Sequence, residues 1–384
     1  MKNYIISFIM TVSLLTACGF TTQASEAEQG PASIPGLTFD HSMELLYAQE
    51  FSVDYYEDGY ALISIGLEGQ YLVIPEGKET PEGLDGDITV LMQPLDRIYL
   101  VATSAMDFFR AIDGIGAIRL SGTKESGWYI PEAVSAMESG DMIYAGKYSA
   151  PDYERIVSAN CGLAIENTMI YHTPEVKEQL EKFGIPVLVE RSSYESDPLA
   201  RMEWVKLYGI LFDKEAEAET FFNEQVQRIR PLLGQDTTCK TAAFFSVTSN
   251  NLVTVRKSND YVAKMIGMAG GEYVFSNLSD NGNNLATINL SLEEFYAGAK
   301  DADVLIYNST IEGKIETTEQ LLSKCPMLAD FKAVQNGNVW CTTQSLFQES
   351  MELPDLILDM NRVFAAESPN AVYEDELKFL THVS

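Results

Sequence analysis

Histidine is nearly absent: a chain of 384 residues carries three, His41, His172 and His382. His41 stands in the N-terminal lead-in and His382 beside the C-terminus, which leaves His172 alone in the body. A bare transition-metal ion is held by two or three converging imidazoles or thiolates, so direct zinc or manganese binding is disfavoured. HExxH, GxSxG and GxxxxGK[ST] do not occur. Gly267-Met268-Ala269-Gly270-Gly271 is glycine-rich, but it closes a predicted helix instead of opening one, which argues against a phosphate loop. Basic residues are scarce too, 26 against 56 acidic, for a formal net charge of −30. Nothing clusters into the basic footprint that phosphate backbones need, so nucleic acid is not an expected partner. The acidic excess keeps an exterior soluble and makes any one pair of carboxylates uninformative.

Cysteine is also sparse. Besides Cys18 there are Cys161, Cys239, Cys325 and Cys341, and no CxxC. Four thiols allow three connectivities. Cys325 and Cys341 are the nearest pair, while unpaired buried thiols fit equally well in a chain too large to need disulfides.

Long apolar runs are missing as well. The longest, YIISFIMTVSLL after Met1-Lys2-Asn3, falls short of the ~20 residues of a spanning helix and reads as a signal peptide, residues 1–17. Leu15-Thr16-Ala17-Cys18 matches the bacterial lipobox, which implies lipidation at Cys18. Residues 18–35 are small, polar and proline-bearing, the composition of a flexible tether. Removing residues 1–17 takes away Lys2 and no acid, so the mature body is more acidic still. It is long enough for two domains. The expected location is the extracytoplasmic face of the cell membrane, held by the N-terminal lipid.

What is present is an alternation of strands and helices. FSVDYY, YALISIG, QYLVIPEG and DITVLMQ, separated by Asp58-Gly59, Glu68-Gly69 and Asp85-Gly86, predict an antiparallel β meander. From Arg97 strand, helix and strand alternate to Glu190, which argues a mainly parallel sheet covered by helices. Asp197-Pro198 is an N-cap followed by a proline at the first helical position. From there apolar residues recur at helical spacing as far as Pro231, with a break expected near Gly209 and Asp213. A second strand–helix alternation follows. The predicted architecture is two α/β lobes with mainly parallel sheets joined by a long helical strut, plus the meander. Its parts are an N-terminal lobe over 36–198, a connecting helix or helix pair over 199–232, and a C-terminal lobe over 233–384.

The two lobes share a unit. Residues 150–170 and 289–311 each open a helix with a capping or proline residue, place a glutamate in its first turn, and continue into a short apolar strand. Aromatic residues gather near strand ends in the first lobe: Trp128, Tyr129, Tyr144, Tyr148, Tyr171 with His172, and Tyr194. Ligands of open α/β sheets bind beyond the strands' carboxyl ends, and aromatic-lined clefts suit sizeable organic ligands. These seven are the candidate ligand-binding residues.

Taken together, the lipobox at Cys18, the repeated helix–strand unit and the IPVLVERSSYESDPLARMEWVKLYG run resemble one family. It is the lipid-anchored substrate-binding proteins of ABC importers for ferric siderophores, haem and cobalamin, similar here over Arg97 to Gln348. The resemblance implies no catalysis and no resident cofactor. It implies a monomer that captures a metal chelate between its lobes and hands it to an ABC importer permease. It also implies that early-turn glutamates dock on permease arginines, which by position are Glu154 and Glu293, with Glu294 adjacent. The meander departs from the family pattern. The competing class is an extracellular lipoprotein hydrolase, or a structural lipoprotein without a transport role.

Overall fold

The computed structural model describes residues 32–66, 69–235, 237–278 and 286–384. The signal peptide, Cys18 and most of the tether lie outside the described residues. Ile34, within the segment read as tether, is buried.

Three sheets organise the chain. The first holds β1 (Phe39–Ser42), β2 (Phe51–Tyr56), β3 (Ala61–Ile65), β4 (Gly69–Ile74) and β5 (Ile88–Met92), in that order. β1 to β4 pair antiparallel, but β5 runs parallel to β4, with Gln70 opposite Ile88. This corrects the wholly antiparallel meander. The segment 75–87 is too long for a tight hairpin, and it returns the chain to the sheet in its original direction.

The second sheet uses β6 (Ile98–Leu100), β7 (Ile118–Ser121) and β8 (Ile143–Tyr144). A short hairpin, β9 (Gly146–Lys147) with β10 (Ala150–Pro151), precedes β11 (Ala164–Asn167) and β12 (Val187–Glu190). The order is β12-β11-β6-β7-β8, parallel throughout. β6, at its centre, and β12 are buried at every position, which is why Ile98–Leu100 and Val187–Val189 read as unbroken apolar runs.

The third sheet contains β13 (Lys240–Val247), β14 (Val253–Arg256), β15 (Gly271–Tyr273), β16 (Thr287–Leu290), β17 (Val304–Tyr307), β18 (Val339–Thr342) and β19 (Leu380–His382). β13, β15, β17 and β18 are parallel, whereas β14 and β19 are antiparallel to their neighbours.

Helices cover these sheets. The first lobe has α1 (Met106–Ala111), α2 (Pro131–Ser139), α3 (Tyr153–Ser158) and α4 (Pro174–Lys182). Between the lobes run α5 (Pro198–Glu203), α6 (Val205–Leu211) and α7 (Glu215–Ile229). Asp197 caps α5, its Oδ1 accepting Leu199 N–H at 2.8 Å. The chain turns between α6 and α7 at Asp213, whose φ is 55°. A Cβ on Gly209 would lie 2.8 Å from Ala218 Cβ, so this glycine lets α7 pack directly on α6. The second lobe has α8 (Tyr261–Met268), α9 (Leu292–Ala299), α10 (Ser309–Glu312), α11 (Thr318–Lys324), α12 (Lys332–Gln335) and α13 (Leu353–Ala365).

One apolar core runs from the N-terminal sheet (Ile63) through the first lobe (Leu100, Ile165) and the connecting helices (Trp204, Tyr208) to the second lobe (Phe245, Ile306). Two buried carboxylates weld the N-terminal strands to the connecting region. Glu203 accepts the N–H groups of Leu46, Tyr47 and Ala48 at 2.8 to 3.0 Å, and Glu195 accepts those of Gln49 and Glu50 at 2.9 Å. All four thiols Cys161, Cys239, Cys325 and Cys341 are free, so the Cys325–Cys341 pairing does not form.

Candidate functional site

Three carboxyl ends of the second sheet open into one cleft of about 340 Å³. Thr103 and Ser104 follow β6, Asn167 to Met169 end and follow β11, and Glu190 with Ser193 close β12. These loops are short because each strand passes at once into a helical turn, and that turn presents hydroxyl and amide side chains at the edge. The facing wall comes from α5 and the second lobe: Arg201, Arg256, Tyr261, Ala286 and Phe347.

Two guanidinium groups dominate this wall. Arg201 lies 3.9 Å over the Tyr261 ring, and Arg256 lies 4.8 Å over Phe347. Stacking on rings leaves the edges of a guanidinium, where its N–H donors point, available to an acceptor. Arg201 spends one donor on Ser193 C=O at 3.2 Å, and Arg256 has a loose 3.6 Å contact with Asp260. Glu190 forms the floor and accepts Ser192 N–H at 2.7 Å and Ser104 Oγ at 3.2 Å. Burial pushes its carboxyl above the usual range, although Ser192, Arg201 and Ser104 pull it back. The cleft therefore sets two guanidiniums against one lining carboxyl, Glu190, with Asp260 beside Arg256, in a strongly acidic protein.

The lobes are bolted together behind the cleft. Asp107 on α1 accepts Met351 N–H at 2.6 Å, and Arg110 bridges Asp107 and Glu352, each at 2.5 Å. Burial lifts Asp107 to about 6 despite Arg110 beside it. Asp197 reaches Lys264 on α8 at 2.9 Å.

None of the seven aromatic and histidine candidates lines the cleft itself. Trp128 is a buried core ring whose indole N–H donates to Ser121 Oγ at 3.1 Å. Tyr144 and Tyr148 are half-buried near β8, the sheet edge opposite β12, and Lys124 stands 5.6 Å over the Tyr144 ring. Tyr129, Tyr171, His172 and Tyr194 are exposed in loops after β7, β11 and β12, so the topology brings these four to one sheet edge. The rule about carboxyl ends points to the loops that line this cleft, but a search confined to aromatic rings passed over Thr103, Ser104, Asn167 and Ser193. Arg201 and Arg256 carried no local signal, since each sits in an ordinary helix or strand.

Glu154 is exposed in the first turn of α3, which follows the carboxyl end of β8. Glu293 is exposed in the first turn of α9, beyond the carboxyl end of β16. Glu294 is spent on a capping box: its carboxylate accepts Ser291 N–H at 2.8 Å, which lowers its pKa. His41, on β1, stacks on Tyr55, and His382, on β19, contacts Gly337 C=O at 2.6 Å. No cluster of three metal-ligating side chains occurs among the described residues.

A family model described as periplasmic binding protein matches residues 111–346, beginning after the N-terminal sheet. An uncharacterized lipoprotein of Methanocaldococcus jannaschii is 26% identical over 350 residues, covering 84% of this chain and 82% of its own. A second uncharacterized lipoprotein of that organism is 23% identical over 348 residues, covering 87% and 85%. Among solved structures, a periplasmic haem-binding protein of Pseudomonas aeruginosa has a TM-score of 0.58 at 16% identity, covering 75% of this chain and 99% of that one. The periplasmic vitamin B12-binding protein BtuF of Vibrio cholerae has a TM-score of 0.51 at 14% identity, covering 71% and 97%.

Proposed function

Because the chain belongs to the periplasmic binding protein family, we propose that it captures an anionic metal chelate in the cleft between its lobes and delivers it to an ABC importer permease. The observation that carries this reading is the pair of ring-stacked guanidiniums, Arg201 and Arg256, facing the hydroxyl-lined strand ends of the first lobe. A chelate with carboxylate, hydroxamate or catecholate oxygens would present its acceptors to these donors. Its organic periphery would reach the exposed Tyr129, Met169, Tyr171 and Tyr194. Solved structures with this fold include periplasmic haem-binding and vitamin B12-binding proteins and an ABC-type Fe3+-hydroxamate transport system, which supports the chelate class.

Titration calorimetry with a ferric tris-catecholate, a ferric hydroxamate, haem and cobalamin tests the reading. The expected outcome is preference for an anionic chelate, with Arg201→Ala and Arg256→Ala each weakening it about 10- to 100-fold, the worth of a hydrogen bond to a charged group. Equal affinity for the neutral cobalamin, or arginine variants that bind like wild type, would overturn it.

Delivery is assigned to Glu154 and Glu293, one exposed carboxylate per lobe. Anchoring is assigned to a lipid on Cys18, a reading supported by relatives named as lipoproteins. Cys18→Ser should release the protein from membranes or leave its signal uncleaved; a variant that both fractionates and migrates like wild type would refute the anchor.

A further inference from the structure

Gln348 joins the two lobes at the side of the cleft. Its Oε1 accepts Tyr129 N–H at 2.9 Å, and its Nε2 donates to Gly127 C=O at 2.7 Å. A primary amide thus meets the first lobe's backbone as a neighbouring strand would, donor to carbonyl and acceptor to amide. The preceding residue, Phe347, is the ring beneath Arg256 and lines the cleft. Two residues further on, Ser350 Oγ donates to Ser104 C=O at 2.9 Å, and Ser104 lines the opposite wall. Met351 N–H and Glu352 then complete the Asp107–Arg110 network. Residues 347–352 are therefore one segment of the second lobe that meets the cleft at one end and is fastened to the first lobe along its length.

The two ends of this segment differ in kind. At Met351–Glu352 the contacts are charged and buried, and opening them would strand Asp107, which is fully buried. At Gln348 the contacts are neutral and partly exposed, so water can replace them at little loss. The first end is a fulcrum and the second is able to open.

We propose that Gln348 is a positioning residue, a reversible clasp that holds Phe347 and Arg256 against the first lobe and whose opening admits the ligand. The clasp bridges the two lobes at the side of the cleft, so entry and exit both pass through its open form. Its role in binding rests on the cleft being the ligand site, but its existence does not.

Hydrogen exchange on the unliganded protein tests the clasp alone. In Gln348→Met, which keeps the side chain's length without its hydrogen bonds, the Tyr129 amide should exchange on the order of tenfold faster. The Met351 amide should be unchanged. Gln348→Glu keeps the acceptor for Tyr129 N–H and loses the donor to Gly127, so its exchange should be intermediate. If Tyr129 exchanges in Gln348→Met as in wild type, or if Met351 accelerates equally, the clasp is refuted. Stopped-flow binding of a ferric tris-catecholate tests the positioning role. Association and dissociation should both quicken in Gln348→Met by on the order of tenfold, leaving Kd within about threefold. A change in dissociation alone would make Gln348 a simple ligand contact and overturn the proposal. If wild type ignores the tris-catecholate while the exchange results hold, the anionic-chelate reading fails and the clasp stands.

Discussion

Replacing Glu203 with alanine would remove one of the two carboxylates that fasten the N-terminal strands to the connecting region. The Glu203 side chain is fully buried, and its two oxygens accept three successive amides, Leu46, Tyr47 and Ala48. Lys206, itself buried, lies 3.1 Å away. Removing one partner of a buried ion pair costs about 3–5 kcal/mol, and each amide left without an acceptor adds about 1–3 kcal/mol where water cannot reach it. Two features hold the total down. Lys206 keeps a second carboxylate, Glu219, at 3.4 Å, and Leu46 is largely exposed, so water can serve part of the freed backbone. The expected loss is therefore about 4 kcal/mol, a large share of the ~5–15 kcal/mol that keeps a domain folded. Glu203→Gln, which retains one acceptor oxygen, should fall between wild type and alanine. Urea unfolding followed by circular dichroism measures the loss, and limited proteolysis reports whether residues 43–50 become cleavable. An alanine variant within about 1 kcal/mol of wild type and equally resistant to protease would refute the reasoning, because a detached sheet should fail both tests.

Glu166, fully buried on β11 with neither oxygen hydrogen-bonded, is pushed by burial to about 8. Its folded value lies above its unfolded one, so the proton is held more tightly in the native state and stability declines as pH rises from about 4.5 to about 8. Glu166→Gln should flatten that decline and raise the melting temperature more at pH 8 than at pH 5; an equal change at both would contradict the assignment. Gly209→Ala gains about 1 kcal/mol of helix propensity but places a Cβ 2.8 Å from Ala218 and 3.0 Å from Glu215 Cα. Overpacking of about 1–3 kcal/mol should win, and calorimetry showing a raised melting temperature would exclude this account of the α6–α7 turn. Glu154→Ala combined with Glu293→Ala should cut chelate uptake about tenfold or more while leaving affinity in solution within about threefold, since such charges act in docking and register. Normal uptake by the double variant would end the docking assignment.

Local periodicity was enough to read two lobes of alternating strand and helix, a preceding run of strands, and a helix starting at Asp197-Pro198, because burial on one or both faces writes a repeat of its own into each segment. Nothing local could show that β5 joins β4 in parallel, since strand direction is decided by where the 75–87 segment runs and not by the strand's residues. Nor could it single out Glu203 and Glu195 among 56 acids, whose difference lies wholly in which amides surround them. The cleft is the clearest case. Arg201 stands on α5 and Arg256 on β14, and they face one space only because Tyr261 and Phe347, from α8 and from beyond β18, give each guanidinium a ring to stack on. A pattern along the chain records which face of a segment is buried. Which distant segment buries it depends on closing loops through space, and that is where the site was made.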